Sequence, residues 1–353
     1  MCYTQFMATN KKSPFPSQLR QDIVSDDWVV IATGRAKRPD AFGKKEINAK
    51  KKKEKKLCRF CDILKYEKPI LVFSKGEKIK SPPYNNWTTC VVANKYPAFS
   101  PSLKMNHRKI GPYRVMDGVG FHELVVTRDH RQTIAEMNIS QIKEIIDAYQ
   151  ERYLDLSNEP LVNYVSIFHN QGEKAGATVA HPHSQIIAIP TFDSDIQSSI
   201  NGSKRYLKKY GQCPHCTMIK YDQKDQKRVV FENKEFLVTC PFVSRVAFEV
   251  RIYPKVHRGY FERIKNGSKW QLAEAFKKTF KALDLALNHP DYNFFLHTAP
   301  CDGQNYDHYH WNWQIIPHTQ IWAGFELGTE IEISTITPEA AAEFLRHKIN
   351  FKL

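Results

Sequence analysis

Apolar and polar positions along the chain alternate in short runs, and these interleave with a few longer stretches of helical period. Residues 26–32 read as an Asp-Asp turn followed by a strand, and residues 88–93, 120–127 and 162–168 read as further strands. Ile142, Ile145, Ile146, Tyr149, Tyr153 and Leu156 recur at helical spacing, which predicts a helix over 140–156 with Ser140 as its N-cap. Residues 203–210, 268–288 and 338–348 are expected to be helical as well. Strands separated by short loops, each group covered by one long helix, predict an α+β fold of antiparallel sheets.

The pattern repeats once. Residues 121–130 and 248–257 share a layout, a strand closed by a histidine (His130 and His257). Residues 162–164 find a counterpart at 292–294, and His181-x-His183 lies as far from Pro190 as His308-x-His310 lies from Pro317. So long a period indicates a duplicated unit rather than a solenoid. Two tandem units are expected, 17–195 and 196–353, each an antiparallel half-barrel with helices. They differ where it matters for chemistry. His183 is followed by Ser184-Gln185, whereas His310 is followed by Trp311-Asn312-Trp313. Two indoles beside His310 are expected to leave little room for a phosphate. The first unit is therefore expected to be catalytic and the second to use its histidine structurally.

Composition narrows the classes. Hydrophobic residues make up 42% of the chain, no apolar run is long enough to span a bilayer, and residues 1–16 lack the apolar core of a secretory leader. A cytoplasmic protein without a membrane partner is expected. The net charge of +15 is concentrated partly in Lys44 to Lys56, where eight lysines and two glutamates give +6. That run reads as a solvated loop. No RNA-binding aromatic signature is interleaved with it, so nucleic acid is not an expected partner. The remaining positive charge suits anionic substrates. Among eight cysteines, Cys58/Cys61 and Cys213/Cys216 have Cys-x-x-Cys spacing, which in a reducing compartment favours a metal over a disulfide.

The densest chemistry lies between Asn170 and Pro190. A small-residue loop containing Gly172 and Gly176 lets backbone approach a phosphate, and it leads into His181-Pro182-His183-Ser184-Gln185. The two imidazoles are expected to face opposite sides, one anchored and one toward a ligand. A neutral imidazole is a competent nucleophile near pH 7, and a glutamine donates a hydrogen bond without delivering a proton.

Together Asn170, Gly176, Thr178, His181, His183 and Gln185 resemble the galactose-1-phosphate uridylyltransferase family of the histidine-triad superfamily. The resemblance covers residues 19 to 348. It implies that His183 attacks the α-phosphorus of a nucleotide sugar, forming a covalent nucleotidyl-histidine in a ping-pong exchange assisted by Gln185. UDP-glucose and galactose 1-phosphate are the leading substrates. It also implies substrate contacts from Arg35, Arg38, Asn94, Asn170, Gly176, Ala177 and Thr178, and hexose contacts from Phe325 and Glu326, often across a homodimer interface. Two structural zinc sites follow, Cys58, Cys61, His130 and His181, and Cys213, Cys216, His257 and His310. His122 is an alternative to His130 in the first, and His215 or His308 are alternatives in the second. The chain departs from a common bacterial form of the family in its second Cys-x-x-Cys pair, which the related ADP-glucose phosphorylase branch shares. That branch has Ser where Pro182 stands here, and Gln320 replaces a family lysine. ADP-glucose phosphorolysis is thus the runner-up. A histidine-triad hydrolase, or a zinc-stabilised nucleotide-binding protein without catalysis, are the alternatives of another class.

Overall fold

The computed structural model describes residues 17–35 and 58–350. Its centre is one sheet of eleven strands in the order β11-β12-β13-β15-β14-β9-β10-β8-β5-β3-β4. In the first half these are β3 (Pro69–Ser74), β4 (Glu77–Lys78), β5 (Thr89–Ala93), β8 (Phe121–Thr127), β9 (Tyr164–Gln171) and β10 (His183–Ile189). In the second they are β11 (Val229–Glu232), β12 (Phe236–Thr239), β13 (Val250–Pro254), β14 (Tyr292–His297) and β15 (Asn312–Pro317). Every pairing in this sheet is antiparallel. Read outward from the middle, β9-β10-β8-β5-β3 matches β14-β15-β13-β12-β11 strand for strand. The two copies join where β9 and β14 pair, with Asn170 opposite Asn293 and Phe168 opposite Phe295.

One face of the sheet is buried under α1 (Ile139–Leu156) and α4 (Asn266–Leu287), with α6 (Pro338–Asn350) packed beside them. The strand period of two sorts side chains between the faces. Val165, Ile167, Ile186 and Ala188 enter the core from the first half, and Phe294, Trp313 and Ile315 from the second. Both halves contribute to this single cluster. Tyr149 of α1 lies 5.8 Å from the Trp313 ring of β15. Helix α1 starts one residue earlier than its expected Ser140 cap. Asn138 accepts from Gln141 N–H while the Gln141 side chain accepts from Asn138 N–H, a reciprocal box that satisfies two otherwise open donors.

The other face is open over the first half and roofed over the second. Strands β1 (Gln18–Gln21) and β2 (Trp28–Ile31) pair with each other, and β2 pairs in parallel with β16 (Ile333–Ser334). Residues 18–31, which the sequence places in the first unit, therefore sit with C-terminal elements. Arg20 bonds Glu339 and the Phe242 carbonyl. Helix α2 (Ser194–Tyr210) begins well before the expected residue 203, because the Asp193 side chain accepts from Ile196 N–H and caps it. It packs so closely on residue 24 that a Cβ at Gly202 would lie 1.6 Å from the Val24 carbonyl oxygen. Between this roof and the sheet, Asn312 and Gln314 are buried, whereas His183 and Gln185 are only half-buried. Among the described residues, no helix is long and apolar enough to cross a membrane.

Candidate active site and metal centres

Two Cys/His clusters form, and their memberships match the expected sets. Cys58, Cys61, His130 and His181 make the first and Cys213, Cys216, His257 and His310 the second, with all donor atoms of a cluster within 4.8 Å of one another. Each Cys-x-x-Cys sits at a helix start. Cys58 precedes the 3-10 turn Arg59–Lys65, and Cys213 precedes α3 (Pro214–Asp225). In the first cluster Cys61 Sγ lies 3.4 Å from His130 Nδ1, both sulfurs lie 3.7 Å from His181 Nδ1, and the two imidazole nitrogens are 3.2 Å apart. In the second the sulfur–nitrogen distances are 3.4, 3.6 and 3.9 Å. A tetrahedral zinc with Zn–S of about 2.3 Å and Zn–N of about 2.05 Å requires edges of roughly 3.4–3.8 Å, so both donor sets fit that ion. The far nitrogens are engaged too. His181 Nε2 donates to the Thr127 carbonyl at 2.6 Å, His310 Nε2 to Pro254 at 2.9 Å, and His257 Nε2 to Asp307 at 2.6 Å. Such backbone anchors fix the tautomer that turns Nδ1 inward.

The alternative ligands fall elsewhere. His122 takes part in a different network. Among the described residues, neither ring nitrogen of buried His215 has a partner, and His308 is outside the second cluster.

The equivalence of His181 and His310 corrects the register in which His310 matches His183. His181 anchors to the end of β8 as His310 anchors to the end of β13, so Asn312 is the counterpart of His183 and Gln314 of Gln185. The indoles do not crowd a phosphate site either. Trp311 and Trp313 alternate away from Asn312 and are wholly buried on the helix-covered face. A further correction concerns His181 and His183. Residues two apart on a strand share a face, so alternation cannot separate them. They diverge because β10 begins only at His183, while His181 lies in the bend before it.

His183 is half-buried on the open face, its ring edge-on to Phe60 at 5.0 Å. Its Nδ1 donates to the His181 carbonyl at 2.9 Å, which leaves Nε2 as the bare, nucleophilic nitrogen. Burial depresses its basicity, so the ring is neutral. Behind it, on the core face, Ser184 Oγ meets Tyr149 Oη at 2.5 Å and His169 Nδ1 at 3.0 Å. Burial lowers the His169 pKa to about 3.

Gln185 shares the face of His183. Its Oε1 accepts from His122 Nε2 at 2.8 Å, and its Nε2 has no protein partner among the described residues. The loop before His181 is exposed at Gly176 and Thr178, and Gly176 has φ +83°. Its base is braced from the second half. Lys174 N–H donates to Asp291 at 2.8 Å and Asn293 Nδ2 donates to the Ala175 carbonyl at 2.9 Å. Gly172 has φ +87°, and a Cβ there would lie 2.3 Å from the Asp291 carboxylate. These braces come from residues more than 110 positions away, and no local pattern announces them.

One strand away from β10, a cavity of about 1140 Å³ lies over the β9–β14 seam; neither His183 nor Gln185 lines it. Phe168 and Asn170 form its near wall, and Phe168 pairs across strands with Gln185. Asn293, His297 and Trp322 form the far side. Asn170 Oδ1 accepts from Asn293 Nδ2 at 2.8 Å.

The remaining expected contacts are placed less directly. Asn94 Oδ1 accepts from Tyr96 N–H and its Nδ2 faces the His122 ring, so it shapes its own loop. Phe325 and Glu326 lie in α5 (Gly324–Thr329) and outside the cavity wall, where Glu326 accepts from Ala323 N–H. Gln320 and Trp322, just before them, line it instead. Ala177 N–H bonds the Gly172 carbonyl. Arg35 ends a 3-10 turn, Thr33–Arg35, and Arg38 lies outside the described residues.

Known proteins are similar to this chain in sequence and fold. The family described as galactose-1-phosphate uridyl transferase, N-terminal domain, matches residues 7–192. ADP-glucose phosphorylase from Arabidopsis thaliana is 30% identical over 335 residues, covering 93% of this chain and 92% of that protein. Galactose-1-phosphate uridylyltransferase from Thermotoga maritima is 27% identical over 339 residues, covering 93% and 98%. The crystal structure of the Arabidopsis ADP-glucose phosphorylase with bound ADP-glucose superposes with a TM-score of 0.78 at 28% identity, covering 96% of this chain and all of that one. The chain belongs to the galactose-1-phosphate uridylyltransferase family of nucleotidyltransferases.

Proposed function

We propose that this protein transfers a nucleotidyl group from a nucleoside diphosphate hexose to a phosphate-bearing acceptor through a covalent adduct on His183. The observation that carries this reading is the His183 ring. Nδ1 is tied to the His181 carbonyl and Nε2 is left bare, with Gln185 on the same face. Nε2 attacks the α-phosphorus, the bond from that phosphorus to the bridging oxygen breaks, and hexose 1-phosphate leaves. An acceptor phosphate oxygen then attacks the same phosphorus and His183 departs. The Gln185 amide and Thr178 stabilise negative charge on the phosphoryl oxygens, since the N–H groups of Gly176 and Ala177 are already bonded within the loop. Gln185 has no basic group with which to take a proton from water in the second step, which favours transfer over hydrolysis.

ADP-glucose with inorganic phosphate as acceptor is the favoured pair, supported by the likeness to the ADP-glucose phosphorylase in both sequence and structure. Exchange of UMP between UDP-glucose and galactose 1-phosphate is the second reading, supported by the family match and the Thermotoga relative. Zinc in both clusters would be structural, since each has four protein donors and no open position. The first would hold the backbone just ahead of His183. A homodimer in a reducing, cytoplasmic setting completes the proposal. Turnover of ADP-glucose with phosphate, set against UDP-glucose with galactose 1-phosphate, tests the substrate. Activity with neither pair, and no adduct on His183 from either nucleotide sugar, defeats it.

A further inference from the structure

We propose that His122 is a positioning residue that sets which end of the Gln185 amide faces the phosphoryl group. The proposal rests on the transfer chemistry proposed for His183.

A glutamine amide can present either an oxygen or an NH2 group, and the two have opposite effects on an anionic oxygen. Which end faces the ligand depends on what holds the other. At Gln185 the holder is His122, and its own tautomer is fixed from behind. Ala98 N–H donates to His122 Nδ1 at 3.2 Å, which places the ring proton on Nε2; the Asn94 amide nitrogen straddles the ring, 3.4 Å from Nδ1 and 3.1 Å from Nε2. That proton is given to Gln185 Oε1 at 2.8 Å. With its oxygen taken, Gln185 presents NH2 on the face it shares with His183.

The second half supplies an internal control. Across β8 and β10, His122 pairs with Ile187, and Gln185 lies two residues before Ile187. In the register fixed by the metal ligands, Glu249 is the counterpart of His122 and Gln314 of Gln185. Glu249 is wholly buried, and a carboxylate can only accept. Gln314 therefore turns the other way, its Nε2 donating to Glu249 at 2.7 Å and its Oε1 accepting from His297 at 2.7 Å. The same glutamine on the same strand has opposite amide orientations, and the residue on the neighbouring strand decides which.

The test compares five variants by rapid-quench labelling of His183, using whichever nucleotide sugar labels the wild type, with the thermal midpoint of each recorded. His122→Glu installs the second-half acceptor and is expected to slow labelling about 100-fold, the scale of losing one donor to a developing oxyanion, with KM changed only a few fold. His122→Gln, whose Nε2 can still donate to Gln185 Oε1, is expected to stay within about five-fold of wild type. His122→Leu removes the donor without adding charge and must also slow labelling, which keeps the test alive if His122→Glu does not fold. Adding His122→Glu to Gln185→Ala is expected to change little, because the effect runs through that amide. Equal loss in the Gln and Glu variants, wild-type labelling by the Leu variant, or a full multiplicative effect in the Gln185→Ala background would overturn the proposal. Failure of the wild type to label overturns the transfer reading instead. The ring tautomer remains readable by nitrogen NMR, and a proton on Nδ1 of His122 sinks the positioning role regardless of activity.

Discussion

The two halves of the large sheet carry the same strands in mirrored order and the same four-donor cluster, yet they differ at the position after the cluster, where His183 stands in one and Asn312 in the other. In the first, His183 donates from Nδ1 to the carbonyl two residues before it. In the second, Asn312 Nδ2 makes the equivalent bond to the His310 carbonyl at 3.4 Å. The amide thus reproduces the ring's anchor but has no second nitrogen with which to attack. Glutamine persists at both sites, turned outward by a donor in one and captured by a carboxylate in the other. The large cavity straddles the seam between the halves, whereas Asn312 and Gln314 line a smaller pocket under α2 and the N-terminal strands.

The largest expected effect comes from removing the one asymmetric nitrogen. His183→Ala should lower transfer by at least about 10⁴-fold, measured as steady-state turnover, with thermal stability changed little. Retention of substantial turnover would move the chemistry elsewhere.

The metal clusters sharpen the comparison next. Cys61→Ser and Cys216→Ser should each lower zinc content from two ions per chain to about one by elemental analysis, and both should lower the melting temperature. Only Cys61→Ser should also slow the first half-reaction, by about 10–100-fold, because His181 immediately precedes the catalytic strand. Equal kinetic damage from both would show that the second cluster is no mere prop.

Acid should weaken the common core through His169. Its folded pKa is about 3, below the ordinary 6.5, because burial penalises the charged ring. The unfolded chain therefore binds a proton that the folded one refuses. The stability from the neutral ring is present above pH 6.5 and is lost as pH falls toward 3. Denaturant titrations should show a shallower acid decline in His169→Gln than in wild type.

The smallest contrast lies in two glycines. Gly172→Ala would force a Cβ into Asp291 at a positive φ, and Gly202→Ala would force one into the Val24 carbonyl. Each should cost about 1–3 kcal/mol of stability by chemical denaturation. Only Gly172→Ala, at the base of the phosphate loop, should also slow adduct formation.

Much of this was legible in the sequence. The α+β class follows from alternating runs between helical periods, and the two Cys-x-x-Cys pairs with a histidine closing β8 and β13 mark both clusters. His183 and Gln185 stand out by their loop and spacing. The register of the second half did not. His181 lies nine residues before Pro190 and His310 seven before Pro317, so aligning the prolines shifts the match by two. A two-residue slip keeps every side chain on its own face, so the hydrophobic pattern cannot expose the error; the anchors at Thr127 and Pro254 do. The role of His122 was hidden because a histidine on a strand can serve equally as ligand or as hydrogen-bond donor, and only its distance to Gln185 decides. The bracing by Asp291 and Asn293, and the roof over Asn312, arise from tertiary pairing that no local window contains.

The most direct test of a single working half is intact-mass measurement with peptide mapping after incubation with ADP-glucose and, separately, with UDP-glucose. The account predicts one nucleotidyl group per chain, on the peptide carrying His183, and still one in Asn312→His, whose new ring lies under the roof beside a captured Gln314. Two groups per chain, or a group on any histidine of the second half, would contradict it.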